Sequence, residues 1–199
     1  MPTPFNEQRI ADIIGESVST KQRLAEQNLN DIMRCGEIFA RCAASNHLIM
    51  FCGNGGSAAD SQHLAAELVV RLRGSIERRA IKALALTVDS SVLTAGGNDY
   101  GFDNVFKRQV EAFGNPGDVL VAITTSGTSK NIVLAVEEAK KRGVTVIGLL
   151  GGSGGVLKDI SDAYVVVPST VTARIQESHI LIGHIWCEMA EEAIAPELF

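Results

Sequence analysis

Apolar residues recur at helical spacing through the first part of the chain: Ile10, Ile13, Ile14 and Val18, then Leu29, Ile32, Met33, Ile38, Phe39 and Cys42. With a polar middle from Ser19 to Gln27, this spacing predicts helix from residue 6 to about 44, either one long helix or two joined near Asn28 to Asn30. After that the pattern changes to short, continuous apolar runs. They cover Leu48 to Cys52, Ile81 to Thr87, Val119 to Ile123, Val144 to Leu150 and Tyr164 to Val167. Helical stretches separate them: Ser57 to about Arg71, Ser91 to Ala95, Phe102 to Phe113, Lys130 to Lys141, Val156 to Ile160, and Thr172 to Ala193. Asp89 and Ser90 are suited to cap one helix, Arg71 and Arg73 to close another at its negative end, and Gly143 to stop a third. Gly96 to Gly101 reads as a tight polar loop, and Asn115-Pro116-Gly117-Asp118 as a turn.

Strands that are apolar throughout and alternate with helices imply a parallel sheet covered on both faces. The expected architecture is α/β, a doubly wound, five-stranded parallel sheet flanked by helices. One domain spans residues 1–199, with a helical arm at 1–44 and the α/β core at 45–199. An arm of that length placed before the first strand cannot bury both faces on one sheet. Its surplus apolar face points to packing between subunits.

The length of 199 residues suits a single core. A net charge of −5 and a pI near 5.4 argue against a nucleic-acid groove. Cys35, Cys42, Cys52 and Cys187 form no C-x-x-C pair, so reduced, buried thiols are expected. The start, MPTPFNEQRI, has neither the basic nor the apolar region of a signal peptide, and no run approaches membrane-helix length. A cytoplasmic protein with no membrane partner follows as the expectation.

The chemistry collects after the first strand, in CGNGGSAADSQHLAAEL (Cys52 to Leu68). Gly53-Asn54-Gly55-Gly56-Ser57 lets backbone approach a ligand, and Ser57 is a natural N-cap for the helix that follows. Free N–H groups and the positive dipole end make such a turn an anion site, most often for phosphate. No Gly-Lys-Ser/Thr follows, so it is not a Walker loop, and the third glycine of the dinucleotide fingerprint is replaced by Ala58. His63 and Glu67, at i and i+4, share one helix face. The plain alternatives are a strand–helix turn with ordinary glycines and a solvated His/Glu pair. Thr124-Thr125-Ser126-Gly127-Thr128-Ser129 forms a second strand–loop–helix unit, whose hydroxyls suit phosphate or sugar oxygens or else serve only as redundant caps. Both loops fall beyond the carboxyl ends of parallel strands, where ligands bind in such sheets. The last helix carries Gln176, Glu177, His179 and His184.

CGNGGSAADSQHLAAEL, GNDYGFDNVF, TTSGTSKNIV and ARIQESHILIGH, in that order, resemble the sugar isomerase (SIS) domain family, and within it the phosphoheptose (sedoheptulose 7-phosphate) isomerases. The resemblance covers nearly the whole chain and implies the SIS fold and a homotetramer. It implies that Asn54, Gly55, Gly56 and Ser57 line the substrate. Asn98 and Asp99 would contact its hydroxyls, and Thr124, Thr125, Ser126 and Ser129 its phosphate; the family more often has serine at position 124. Arg71 matches an arginine near the substrate. His63, Glu67, Gln176 and His184 match the family's zinc ligands, and Glu67 and His184 its acid–base pair; Gln176 and Glu67 would also meet the sugar. Ala173 stands where some members have aspartate and receives no role. His179 is taken as structural or peripheral, and Cys52 as packing beneath the loop.

Ketose–aldose isomerisation moves a proton between neighbouring carbons through an enediol(ate), and a carboxylate and an imidazole can serve as base and acid. The resemblance implies conversion of sedoheptulose 7-phosphate to D-glycero-D-manno-heptose 7-phosphate, the first step of nucleotide-activated heptose synthesis for lipopolysaccharide or another surface glycan. Two alternatives stand beside it. One is a non-catalytic SIS regulator that binds the replication initiator DnaA, a protein lacking the glutamate and last histidine that this chain keeps as Glu67 and His184. The other is an isomerase of a different sugar phosphate. Gln176 and His184 lie roughly 12 Å apart along a helix, so for one ion to touch both, the side chains must lean together or one must come from a neighbouring subunit.

Overall fold

The structure is a computed structural model and describes residues 5–199; the first few residues of the arm lie outside it. The arm is two helices, α1 (Glu7–Gln27) and α2 (Leu29–Ala44), with the break at Asn28. Asn6 caps α1 by accepting from the Arg9 N–H at 3.0 Å. The periodic apolar positions of α1 divide in two. Leu24 is buried, whereas Ile10, Ile13, Ile14 and Val18 are exposed.

Five parallel strands follow: β1 (Ile49–Gly53), β2 (Ala83–Ala85), β3 (Val119–Thr124), β4 (Thr145–Leu150) and β5 (Ala163–Val166). Their order in the sheet is β2-β1-β3-β4-β5. β1 and β3 are thus neighbours from which the chain departs in opposite directions, which makes the gap beyond their carboxyl ends the topological switch point. The helices α3 (Gly56–Val69), α4 (Ser90–Tyr100), α5 (Val105–Phe113), α6 (Lys130–Lys141), α7 (Gly155–Ile160) and α8 (Thr172–Ile194) connect and cover the strands.

Side chains alternate across each strand and feed two cores. Ile49 and Phe51 of β1 and Val121 of β3 face α2, α3 and α8, where Phe39 and Trp186 meet. Met50, Cys52 and Leu120 face α5, α6 and α7. Both faces of the sheet are therefore dry, the reason the strands show no polar alternation. Trp186 donates to the Ile32 carbonyl at 3.0 Å, tying α8 to the arm.

Three local expectations are corrected. The helix after β1 starts at Gly56 and is capped by Gly55 at φ +56°, so Ser57 is not its cap but a buried residue inside it. That helix ends at Val69, before Arg71 and Arg73, which instead pair with Glu77 and with Glu188 and Glu191. Finally, α4 runs on through Gly96 and Gly97 to Tyr100, where a loop was expected. Asp89 accepts from the N–H groups of Ser91 and Val92 to start α4, and Gly96 lies close against Val105, so a packed neighbour outweighs the poor helix propensity of glycine.

Candidate active site

The turn after β1 is compact. A Cβ on Gly53 would lie 2.6 Å from the Ser57 carbonyl, so only glycine lets the strand fold back onto α3. Asn54, next in the turn, exchanges two hydrogen bonds with Asn131 on α6, at 2.9 and 2.8 Å. This reciprocal amide pair joins the glycine turn to the helix that follows the hydroxyl loop. Asn131 is buried; it lies within TTSGTSKNIV, but that segment assigns it no role, and only its pairing with Asn54 gives it one.

Between those two turns lies a small pocket. Asn54, Ser57, Thr124, Thr125, Ser126, Ser129 and Gln176 supply its polar lining. The Thr124 hydroxyl is buried and lies 3.4 Å from both the Ser126 and Ser129 hydroxyls. Ser129 is the N-cap residue of α6 but makes no side-chain cap, and it lines the pocket at the start of that helix, where N–H groups favour an anion. Gly127, at φ +69°, packs so closely that a Cβ would strike the Gly154 carbonyl. The second loop is thereby locked against the start of α7. The amide of Gln176, from α8, lies directly over Gly56, where a Cβ would be 2.4 Å from its Nε2.

Further along the same two helices lies the titratable cluster. His63 Nε2 is 2.9 Å from His184 Nε2 and 3.4 Å from Glu67 Oε1. One ligand atom from each of His63, Glu67 and His184 lies within 4.8 Å of the others, and all three belong to one chain. Two imidazole nitrogens and a carboxylate oxygen form the donor set of a catalytic zinc site, where ligands about 2.0–2.2 Å from a tetrahedral ion sit roughly 3.4 Å apart. The His63–Glu67 separation matches that spacing, the His63–His184 separation is shorter, and the three together could hold a metal ion. His63 is the more exposed, while the Glu67 side chain is 17% exposed, leaving one side of the cluster open to a ligand.

Other predicted residues are placed elsewhere. Asn98 donates to Asp99 at 2.7 Å on exposed α4, and neither lines the pocket. Arg71 is engaged with Glu77 at 2.9 Å. Gly55 and Gly56 form the start of α3, as the turn requires. Burial pushes the Cys52 thiol up to about 12, which suits packing beneath the loop. His179 is fully buried with Nε2 3.0 Å from the Leu150 carbonyl, and burial holds its pKa down at about 4. Burial, then the nearby Glu67 carboxylate, raises the Cys187 thiol well above its usual range, which keeps it protonated beside the cluster.

Comparison with known proteins bears on the same regions. The family model described as SIS domain matches residues 14–151. A phosphoheptose isomerase of Leptospira biflexa is 50% identical over 181 residues, 91% of this chain and 93% of the relative. One of Nitratiruptor is 61% identical over 145 residues, 73% of this chain and 76% of the relative. The solved phosphoheptose isomerase of Neisseria gonorrhoeae superposes with a TM-score of 0.87 at 42% identity, covering 94% of this chain and 98% of that one.

Proposed function

We propose a catalytic assignment for a chain that belongs to the SIS-domain family and, within it, to the phosphoheptose isomerases: an enzyme that interconverts sedoheptulose 7-phosphate and D-glycero-D-manno-heptose 7-phosphate. The observation that carries the assignment is that α3 and α8 each contribute a residue both to the pocket and to the titratable cluster. α3 gives Ser57 to the pocket and Glu67 to the cluster, and α8 gives Gln176 to the pocket and His184 to the cluster. A phosphate among the hydroxyls of Thr124, Thr125, Ser126 and Ser129 leaves the far end of the sugar to reach Glu67 and His184.

In this assignment Glu67 is the base that moves the proton between C1 and C2, and His184 is the opposing acid–base at the oxygens. Gln176 contacts the sugar and is the fourth candidate metal ligand beside His63, Glu67 and His184. A zinc ion bound there would act as a Lewis acid, stabilising the negative charge of the enediolate. Arg71 would exchange its ion pair with Glu77 for the substrate. Asn98 and Asp99, on an α4 that buries none of its residues, would reach the sugar through packing in a homotetramer. The exposed Ile10, Ile13, Ile14 and Val18 of α1, with Leu29 and Met33 of α2, support such an assembly. Among the described residues no helix is long and apolar enough to cross a membrane, and we place the enzyme in the cytoplasm, supplying heptose for lipopolysaccharide or another surface glycan.

The test is an isomerase assay with sedoheptulose 7-phosphate, run beside fructose 6-phosphate and ribulose 5-phosphate; turnover should favour the heptulose. Glu67→Gln keeps volume and removes the base, so it should fold normally and lose about 10²–10⁴-fold in kcat. Near-native turnover in that variant would refute its role.

A further inference from the structure

The end of α3 raises a question of hydrogen bonding. No basic residue lies in its last turn and no glycine caps it; the Val70 N–H reaches the Ala66 carbonyl. The next two carbonyls, of Glu67 and Leu68, have no partner within the helix; Leu68 accepts from the Ile81 N–H at 3.1 Å, and the Glu67 carbonyl needs a partner from elsewhere. Arg78 holds both. Its Nη2 donates to the Glu67 carbonyl at 2.7 Å and its Nη1 to the Leu68 carbonyl at 2.9 Å. The third edge of the same guanidinium, Nε, donates to Glu191 Oε1 at 3.0 Å.

Glu191 lies on α8, two turns beyond His184 and so on nearly the same face. Its carboxylate also accepts from the Leu72 N–H at 3.1 Å and from Arg73 Nε at 3.0 Å. The side chains of Arg78 and Glu191 are 1% and 0% exposed. Charges this deep persist only when paired and fully hydrogen-bonded: Glu191 is the carboxylate partner of Arg78, and Arg73 adds a second cation to Glu191. With the Arg79 carbonyl, which accepts from Nη1 at 3.0 Å, the guanidinium meets four acceptors; such a planar fork is a task for arginine, and a lysine ammonium cannot span them.

We propose that Arg78 and Glu191 are positioning residues for the isomerisation: one guanidinium clamps the backbone of Glu67 on α3 to the helix that carries His184, and so sets the distance between base and acid. The inference rests on the assignment of Glu67 and His184 as the proton-transfer pair. Neither Arg78 nor Glu191 belongs to the pocket or the cluster. The hydroxyl loop that would bind phosphate hangs from β3 and α6, away from the clamp. Loosening the clamp therefore shifts the reacting groups and leaves the phosphate anchor in place. A displacement of about 1 Å at such groups is worth on the order of 10²-fold in rate.

The experiment measures kcat, KM and melting temperature for Arg78→Met, Arg78→Lys and Glu191→Gln. Val146→Ala, in the core on the opposite face of the sheet, is the control for lost stability alone. At a temperature where all are folded, the clamp variants should lose about 10–100-fold in kcat with KM changed less than about threefold. Arg78→Lys should fall between wild type and Arg78→Met, and Val146→Ala should keep native kcat. Should Arg78→Met fail to fold, Glu191→Gln and Arg78→Lys carry the comparison. Native kcat in the folded clamp variants, or an equal kcat loss in a Val146→Ala protein of matched melting temperature, overturns the proposal. Native turnover in Glu67→Gln would instead remove the assignment beneath it.

Discussion

Acidifying the solution from pH 7.5 to pH 5.0 should cost the fold about 2 kcal/mol through His179 alone. The imidazole is fully buried on α8 against the end of β4. Its Nε2 donates to the Leu150 carbonyl at 3.0 Å, and Nδ1 has no partner among the described residues. Burial lowers its pKa from 6.5 to about 4, with the Leu150 contact opposing the shift. At pH 5 the unfolded chain binds a proton there and the folded chain does not. Stability is therefore complete above the unfolded pKa, falls as the pH drops through the window from about 6.5 to 4, and levels off below it. Single-site linkage gives about 2 kcal/mol by pH 5.0 and about 3 kcal/mol for the whole shift, at about 1.4 kcal/mol per pH unit. That is a large share of the roughly 5–15 kcal/mol that holds a domain together.

Urea unfolding at the two pH values, at fixed protein concentration, reads the effect as a midpoint shift of about 1 M. His179→Gln keeps an N–H for Leu150 and cannot titrate. It should be the less stable protein at pH 7.5, and the gap to wild type should narrow by about 2 kcal/mol at pH 5.0. All other titrating groups are common to the two proteins, so their difference isolates the imidazole. Parallel pH dependence in wild type and variant would refute the reasoning.

Gly56→Ala should fold with a near-native melting temperature yet lose at least about tenfold in kcat/KM, because its new methyl would displace the Gln176 amide; steady-state kinetics beside a melting curve decides it. Ile14→Glu, at a position 58% exposed on the arm, should shift the protein to a smaller species in gel filtration, and an unchanged elution volume would count against packing through that face. Removing divalent metal with a chelator should abolish turnover and zinc should restore it, with elemental analysis of the untreated enzyme as the check; full activity in a metal-free preparation would take the ion out of the chemistry.

Much of the fold is legible along the chain because it depends on local periodicity. Lys130–Lys141 is a helix over the range its spacing predicts, and each apolar run overlaps a strand. Spacing along the arm leaves one helix or two open, with a join near Asn28 to Asn30, and the structure breaks it at Asn28. The misjudged elements are those set by a distant neighbour. Gly96 and Gly97 look like a loop until Val105 packs against Gly96, and Arg71 and Arg73 look like a helix cap until α3 is seen to stop at Val69.

The candidate site divides in the same way. Glycines and hydroxyls at strand ends are needed by the backbone geometry of their own turns, and His63 and Glu67 share a face by helical spacing. Sequence alone therefore determined the α/β class, the two loops and the residue types available for chemistry. That His184 reaches His63 within one chain, that Asn131 ties down Asn54, and that Arg78 closes a helix it does not belong to were decided by tertiary structure. Those pairings join residues from 11 to 121 positions apart. Which of the many possible partners meet is set by how the helices seat on the sheet, a property of packing that no spacing along the chain encodes.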